Sequence, residues 1–190
     1  THKLPIKQKM TLSITTAPFF VLSGVYESVL RFSVNYGIMT IYKNGGTALM
    51  LADLHMHTTF SDGVNTPEEL VREAEKAHLC AMAITDHDNT LAYDEAKKVI
   101  DARQDGIHLI RGVEMDTDYK GKDVHVLGFH FDPAVPIFQQ ALAWNRSGRV
   151  ERVMKIIEKI QSLGYELSFQ EVKREAAGAH SLGRPHIARV

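Results

Sequence analysis

From Leu49 onward, short apolar runs alternate with segments whose apolar residues recur every three to four positions. The runs suit buried strands and the periodic segments suit amphipathic helices. Leu49 to Leu54 reads as a strand that delivers His55 and His57 at its end. Thr66-Pro67-Glu68-Glu69 is a capping box with proline at the first helical position, and it opens a helix to about His78. Cys80 to Thr85 reads as a buried strand that runs into Asp86-His87-Asp88. A helix follows from about Leu91 to Arg103 and stops at Gly106. His108 to Val113 is a third strand, ending at Glu114, and Val124 to Phe131 a fourth, with His125 near its start. Pro136 begins a long helix to Leu163, closed by Gly164, whose Val153, Ile156, Ile157, Ile160 and Leu163 follow the 3.6-residue period. Ser168-x-x-Glu171 caps another short helix. Strands alternating with helices imply βα units around a parallel sheet or barrel, an α/β class.

The first 48 residues differ in texture, being rich in Thr, Ser and aromatics. Lys3, Lys7 and Lys9 precede an apolar run from Met10 to Leu22, but Thr11, Ser13, Thr15, Thr16 and Pro18 dilute it and no small-x-small cleavage site follows. The expectation is an N-terminal extension of weak β character, or non-native upstream sequence, with a boundary at the turn signal Asn44-Gly45-Gly46. The chain starts at Thr1 and ends at Val190 inside what reads as an opening helix, the pattern expected of a fragment.

Composition narrows the partners. A chain of 190 residues, 44% hydrophobic and 24% charged, has material for one domain or one domain with an appendage, and is neither disordered nor collagen-like. The net charge of -1 carries no overall footprint for nucleic acid or an acidic membrane. No stretch approaches the roughly 18 apolar residues of a membrane span. The single cysteine, Cys80, forms no internal disulfide, which fits the reducing cytoplasm. No obligate protein partner is evident.

Histidine is in excess, at ten residues, and its placement matters more than its number. His55, His57, His87 and Glu114 all fall at or just past the C-terminal ends of strands, the edge where βα architectures build sites. His55 and His57 are two apart on extended chain and point to one side. Asp62, in Ser61-Asp62-Gly63, sits on a turn able to fold back over that edge, and His125 lies on the next strand. Imidazoles mixed with carboxylates suit Zn, Mn or Fe rather than the all-oxygen shell of Mg or Ca. The set exceeds one tetrahedral ion, so it implies two or more, with Glu114 as the bridging carboxylate. Paired ions about 3.5–4 Å apart generate hydroxide near neutral pH and clamp a phosphoryl displacement. Lone His2, His78, His108 and His180 read as ordinary surface or core residues, and His130 faces either way.

The joint pattern resembles the PHP (polymerase and histidinol phosphatase) superfamily. Asp53-Leu54-His55-Met56-His57-Thr58-Thr59-Phe60-Ser61-Asp62-Gly63 is similar to its first motif, and Ile84-Thr85-Asp86-His87-Asp88 to its second. Gly112-Val113-Glu114 and His125-Val126-Leu127-Gly128 follow in the family's order, and Gly183-Arg184-Pro185-His186-Ile187-Ala188-Arg189 resembles an element of its stand-alone bacterial phosphoesterases. The resemblance implies a distorted (β/α)7 barrel, two or three divalent ions (Mn, Zn or Fe), and hydrolysis of phosphate esters by a metal-bound hydroxide. It implies that His55, His57, Asp62, His87, Glu114 and His125 are the metal-ligating catalytic residues and that Asp86 orients its neighbours. Substrates of this subgroup are phosphorylated small molecules or short nucleic acids: nucleotides, nucleoside bisphosphates, and RNA trimmed from its 5′ end. The family pattern continues with a His-Pro element and an Asp-x-His pair that this chain ends before. Leu49 to Val190 is 142 residues where such a barrel takes roughly 200–250. Residues 49–190 are therefore expected to be the N-terminal portion of a PHP domain, inactive alone.

Phosphate recognition points to arginine, whose planar fork suits it. Arg146, Arg149 and Arg152 recur along one side of the long helix, with Arg146 and Arg149 nearest its start. A solvated basic face explains the same spacing equally well. Arg184 and His186 follow as candidates to bind phosphate or protonate the leaving group. Three alternatives stand beside this reading: a histidinol-phosphate-type phosphatase, a non-catalytic metal-stabilised PHP module, and an amidohydrolase. The last shares His-x-His on a first strand, but the Ser61-Asp62-Gly63 turn and Asp86-His87-Asp88 speak against it.

Overall fold

The computed structural model describes residues 11–14, 19–23, 30–35, 38–42, 49–103 and 106–190. Asn44-Gly45-Gly46 and the leading Lys3, Lys7 and Lys9 lie outside them. In chain order the elements are strands β1 (Thr11–Ile14), β2 (Phe19–Ser23), β3 (Leu30–Asn35), β4 (Ile38–Tyr42) and β5 (Leu49–Met56), helix α1 (Pro67–Lys76), strand β6 (Leu79–Ile84), helix α2 (Ala92–Arg103), strands β7 (His108–Tyr119) and β8 (Lys122–Phe129), and helices α3 (Pro136–Ser162), α4 (Phe169–Glu175) and α5 (Arg184–Arg189).

Local rules account for most of these boundaries. Thr66 caps α1 by accepting from Glu69 N at 3.2 Å, and Glu69 returns the favour by accepting from Thr66 N at 2.8 Å. Pro67 occupies the first turn, and Leu70, Val71 and Ala74 form the buried stripe. Ser168 and Glu171 repeat the capping box at α4. α3 ends at Ser162, and Leu163 is exposed rather than part of the apolar face, which is carried by Leu142, Val153 and Ile157.

The eight strands form one mixed sheet in chain order, β1 to β8. Strands β1 to β5 run antiparallel, with Ile38 opposite Asp53 where β4 meets β5. Among the described strands, only β5, β6 and β7 are parallel neighbours, each linked by a crossover helix. The alternation of strands and helices implies βα units around a parallel sheet or barrel; the antiparallel pairs among β1 to β5 and at β7–β8 make the sheet mixed. β7 does not stop at Glu114 but runs to Tyr119 and turns back through Lys120-Gly121. Both turn residues have positive φ (54° and 76°), the geometry of a two-residue type I′ hairpin whose twist matches its strands. A parallel connection needs a dozen residues or more, so two residues dictate an antiparallel partner.

Two apolar clusters flank the sheet's functional edge. Leu70, Val71, Ala74, Leu79, Met82, Ile84, Ala92, Ala96 and Ile107 pack α1 and α2 onto β6. Val71 and Met82 are fully buried, each stabilising by about 1.5–3 kcal/mol. Val153, Ile157 and Val172 join α3 to α4, with Leu182 and Ile187 against them. Among the described residues no helix is long and apolar enough to cross a membrane.

Candidate metal centre

β5 and β6 end side by side, and the residues that follow them close over the sheet edge. Asp86 organises this corner. It is buried and accepts from Thr58 N (2.7 Å), Thr58 Oγ1 (2.6 Å) and Ser61 Oγ (2.7 Å). Burial raises its pKa, and these hydrogen bonds pull the other way. The turn it holds brings Asp62 back toward His57, as expected from Ser61-Asp62-Gly63. Gly63 is required there because a Cβ would lie 2.3 Å from the His57 carbonyl oxygen. On the other side, Glu114 N donates to Asp86 O (3.3 Å) and Asp88 N to Glu114 O (2.8 Å), which stitches the His87 segment to β7. Asp88 is held at φ 49°, a left-handed conformation uncommon outside glycine and typical of functional corners.

These constraints bring all six expected ligands together. Glu114, 4% exposed, is the hub: its Oε2 lies 2.8 Å from His55 Nε2, 3.0 Å from His57 Nε2 and 3.8 Å from His87 Nδ1. Its Oε1 lies 2.6 Å from His125 Nδ1. Asp62 stands 3.5 Å from His57 Nδ1 and 3.6 Å from His87 Nε2. His125 reaches the site across the hairpin rather than from a parallel strand. The donors fall into three overlapping triads, His55–His57–Glu114, His57–Asp62–His87 and His87–Glu114–His125, with ligand atoms within 4.8 Å of one another in each. The His87 Nδ1 atom is buried with no hydrogen-bond partner. Converging nitrogens and carboxylates around an unpartnered buried ring nitrogen fit divalent cations.

The electrostatics agree. Burial acts to raise the Glu114 pKa, but hydrogen bonds from His57 and His55 and the charge near His87 hold it well below the usual carboxylate range. Burial disfavours charged His57, yet its bond to Glu114 and the nearby charge of Asp62 raise its pKa overall. Burial, then the positive charge of Arg149, pushes His87 down to about 4, leaving it neutral and ready to ligate at pH 7.

The expected substrate residues divide. A cavity of about 100 Å3 opens beside the cluster, lined by Asp62, His87 and His125 together with Arg149, Arg152 and Arg184. Arg184 is exposed there and donates to Asp123 (2.8 Å). Arg149 is buried, its guanidinium bonded to Asp88 Oδ2 (2.7 Å) and to Asp116. Arg146 faces a different cavity and donates to the Asp88 carbonyl at 2.8 Å. His186 is also turned elsewhere: it is 2% exposed, and its Nδ1 accepts from Gly183 N at 3.0 Å, capping α5. Burial, followed by the charge of Arg189, lowers its pKa. Sequence reasoning missed Asp116 and passed over Arg152, which belong to the same set of polar contacts. Strand alternation was the available signal, since Asp116 stands two residues beyond Glu114 on one face of β7.

The profile of the family described as "PHP domain" matches residues 53–183. The chain is 36% identical over 137 residues to a 5'-3' exoribonuclease of Haemophilus influenzae, covering 72% of this chain and 48% of that protein. It is 33% identical over 137 residues to the 3',5'-nucleoside bisphosphate phosphatase of Chromobacterium violaceum, covering 72% of this chain and 47% of the relative. The chain thus spans about half the length of the curated relatives it matches. Among solved structures, a Bifidobacterium adolescentis protein assigned as a metal-dependent phosphoesterase superimposes with a TM-score of 0.66 at 34% identity, over 73% of this chain and 48% of that one. A Chromobacterium violaceum structure named as an amidohydrolase, with bound sulfate and no metal, gives 0.65 at 31% identity over the same shares, 73% and 48%. Fold, motif order and the span of the family match agree, and the chain belongs to the PHP domain family.

Proposed function

We propose that this chain carries the metal centre of a metal-dependent phosphoesterase that hydrolyses phosphate esters of nucleotides, nucleoside bisphosphates or short oligonucleotides. In this reading residues 49–190 supply the part of a distorted (β/α)7 barrel that bears the ligands, and residues 1–48 are an extension outside the site. The observation that carries the reading is the convergence of His55, His57, Asp62, His87 and His125 on Glu114 in three overlapping triads. Those triads would hold two or three ions of Mn, Zn or Fe, with Glu114 shared between two of them. When bound, such ions neutralise the ester phosphate and lower the pKa of water toward neutrality.

The chain's own residues do the rest. Asp86 and the Gly63 turn pre-set the positions of His57 and Asp62, so ligand geometry costs little reorganisation on binding. Arg184 and Arg152 present guanidinium groups to the cavity beside the ligands, where a substrate phosphate would displace Asp123. Arg149 has its charge engaged by two carboxylates and acts as an anchor of that cavity. The named activities of the exoribonuclease and bisphosphate phosphatase relatives support a nucleotide substrate.

The test is hydrolysis in added Mn2+, by a protein that carries this chain at the full length of its relatives, of a 3′,5′-nucleoside bisphosphate, a short 5′-phosphorylated RNA and histidinol phosphate, side by side, with bound metal counted. Phosphate or nucleotide release that a chelator abolishes supports the reading. Metal bound with no turnover on any of the three indicates a metal-stabilised module instead.

A further inference from the structure

Asp116 is where the histidine cluster meets the arginines of α3. It lies on β7 directly opposite His125 in the hairpin register, and on the same face as Glu114. Its Oδ1 is 3.2 Å from His125 Nε2 and 3.6 Å from the unpartnered His87 Nδ1. The same oxygen accepts from Arg149 Nη2, and Oδ2 lies 3.2 Å from Arg152 Nη1.

A histidine that ligates through one ring nitrogen is oriented by an acceptor at the other. His125 turns Nδ1 to Glu114 at 2.6 Å and Nε2 to Asp116. His87 turns Nε2 to Asp62 at 3.6 Å and Nδ1 toward Asp116. Asp116 thus stands beside a ring nitrogen of two candidate ligands from different elements: His125 Nε2, turned away from Glu114, and His87 Nδ1, which it faces together with Glu114. It is itself held: Arg149, 5% exposed, is shared between Asp116 and Asp88, and Asp88 Oδ1 takes the Asp116 N–H at 3.2 Å and Asn145 Nδ2 at 2.8 Å. A carboxylate anchored this firmly fixes the rings that face it.

We propose that Asp116 is a positioning residue of the metal centre: its carboxylate, pinned by Arg149, stands 3.2 Å from His125 Nε2, faces His87, and sets the ring orientation of both. The proposal rests on the metal-centre reading above. Titration of the metal-free full chain with Co2+, followed by visible absorption, reads affinity and ligand field together. For Asp116→Asn, Co2+ affinity should fall by about 10- to 100-fold and the absorption bands should change. That substitution leaves Arg149 paired with Asp88 alone, so Asp116→Asn/Arg149→Met is read against Arg149→Met, which strips Asp88 of the same counter-ion and so isolates the loss of the Asp116 carboxylate. The same loss and the same band change in the double variant, relative to Arg149→Met, support the proposal. A folded double variant with affinity and bands unchanged from Arg149→Met overturns it, because Asp116 then serves only to neutralise Arg149. Tight Co2+ binding by the unsubstituted chain with no change in Asp116→Asn overturns the positioning role alone. No Co2+ binding by the unsubstituted chain overturns the metal-centre reading, and this proposal with it.

Discussion

The two walls of the proposed metal centre are held in place by different forces. On the β5–β6 wall, His55 stands at the end of β5, and His57, Asp62 and His87 on the segments that follow β5 and β6, strands packed against α1 and α2 with Met82 and Val71 fully buried beneath. Their turn is locked by neutral donors on one buried carboxylate, Asp86. On the β7–β8 wall, His125 projects from a hairpin whose Val124, Val126 and Phe129 remain 39%, 49% and 37% exposed. Little packing supports it, and its position comes from charge: Asp116, Asp88, Asp123 and the arginines of α3 and α5. One wall is therefore stiff because it is close-packed, whereas the other is stiff only while its ion pairs persist. Glu114, at the seam, belongs to both.

Substitutions that separate the walls sharpen this contrast. The largest effect belongs to the seam. Glu114→Gln takes a charged oxygen from two triads and should weaken divalent-metal affinity by more than about 100-fold, and, because His57 and His55 stabilise the charged carboxylate, it should also lower the thermal midpoint of the metal-free protein. Next comes the packed wall. Asp86→Ala leaves three buried donors without an acceptor and should cost about 2–4 kcal/mol of stability, measured by urea unfolding of the metal-free chain. His125→Ala acts on the other wall and empties one triad only. Its loss of metal affinity should be smaller than that of Glu114→Gln, and its unfolding midpoint should stay near the unsubstituted value, both accessible by titration and urea melts. The smallest effect is expected from Arg184→Ala, whose side chain is exposed: a rise in KM for phosphorylated substrates of about tenfold or less, with metal affinity unchanged.

Acidity offers a check on the cluster as a whole. His57 carries a pKa above the ordinary imidazole value, so in the metal-free protein it is protonated at a higher pH than a free histidine. Protons compete with metal at that ring, so affinity should fall as pH drops from about 8 to about 6, near the reference imidazole pKa of roughly 6.5. His87, at about 4, contributes nothing to that decline.

Much of this was legible in the chain because the signals were local. Thr66-Pro67-Glu68-Glu69 announces a helix start by its own hydrogen bonds, and strand-end His55, His57, His87 and Glu114 follow from where apolar runs stop. What the sequence hid depends on pairing in space. Lys120-Gly121 turned β7 back on itself, and with the strand read as ending at Glu114 the residue two places on, Asp116, went unnoticed. Arg146 and Arg149 share the helix face of Arg152, yet only the fold shows that Asp88 engages both of them while Arg152 reaches the cavity. His186 reads as a substrate contact beside Arg184, but one turn of helix sends it inward, where its Nδ1 accepts from Gly183 N.

The central claim is that six side chains form one multinuclear metal centre. Equilibrium dialysis of the chain against Mn2+, with the bound ions counted per chain at saturation, tests it most directly. The account predicts at least two ions per chain in the unsubstituted protein and fewer in Glu114→Gln. Saturation at a single ion that Glu114→Gln leaves in place, or no bound ion at all, would contradict it.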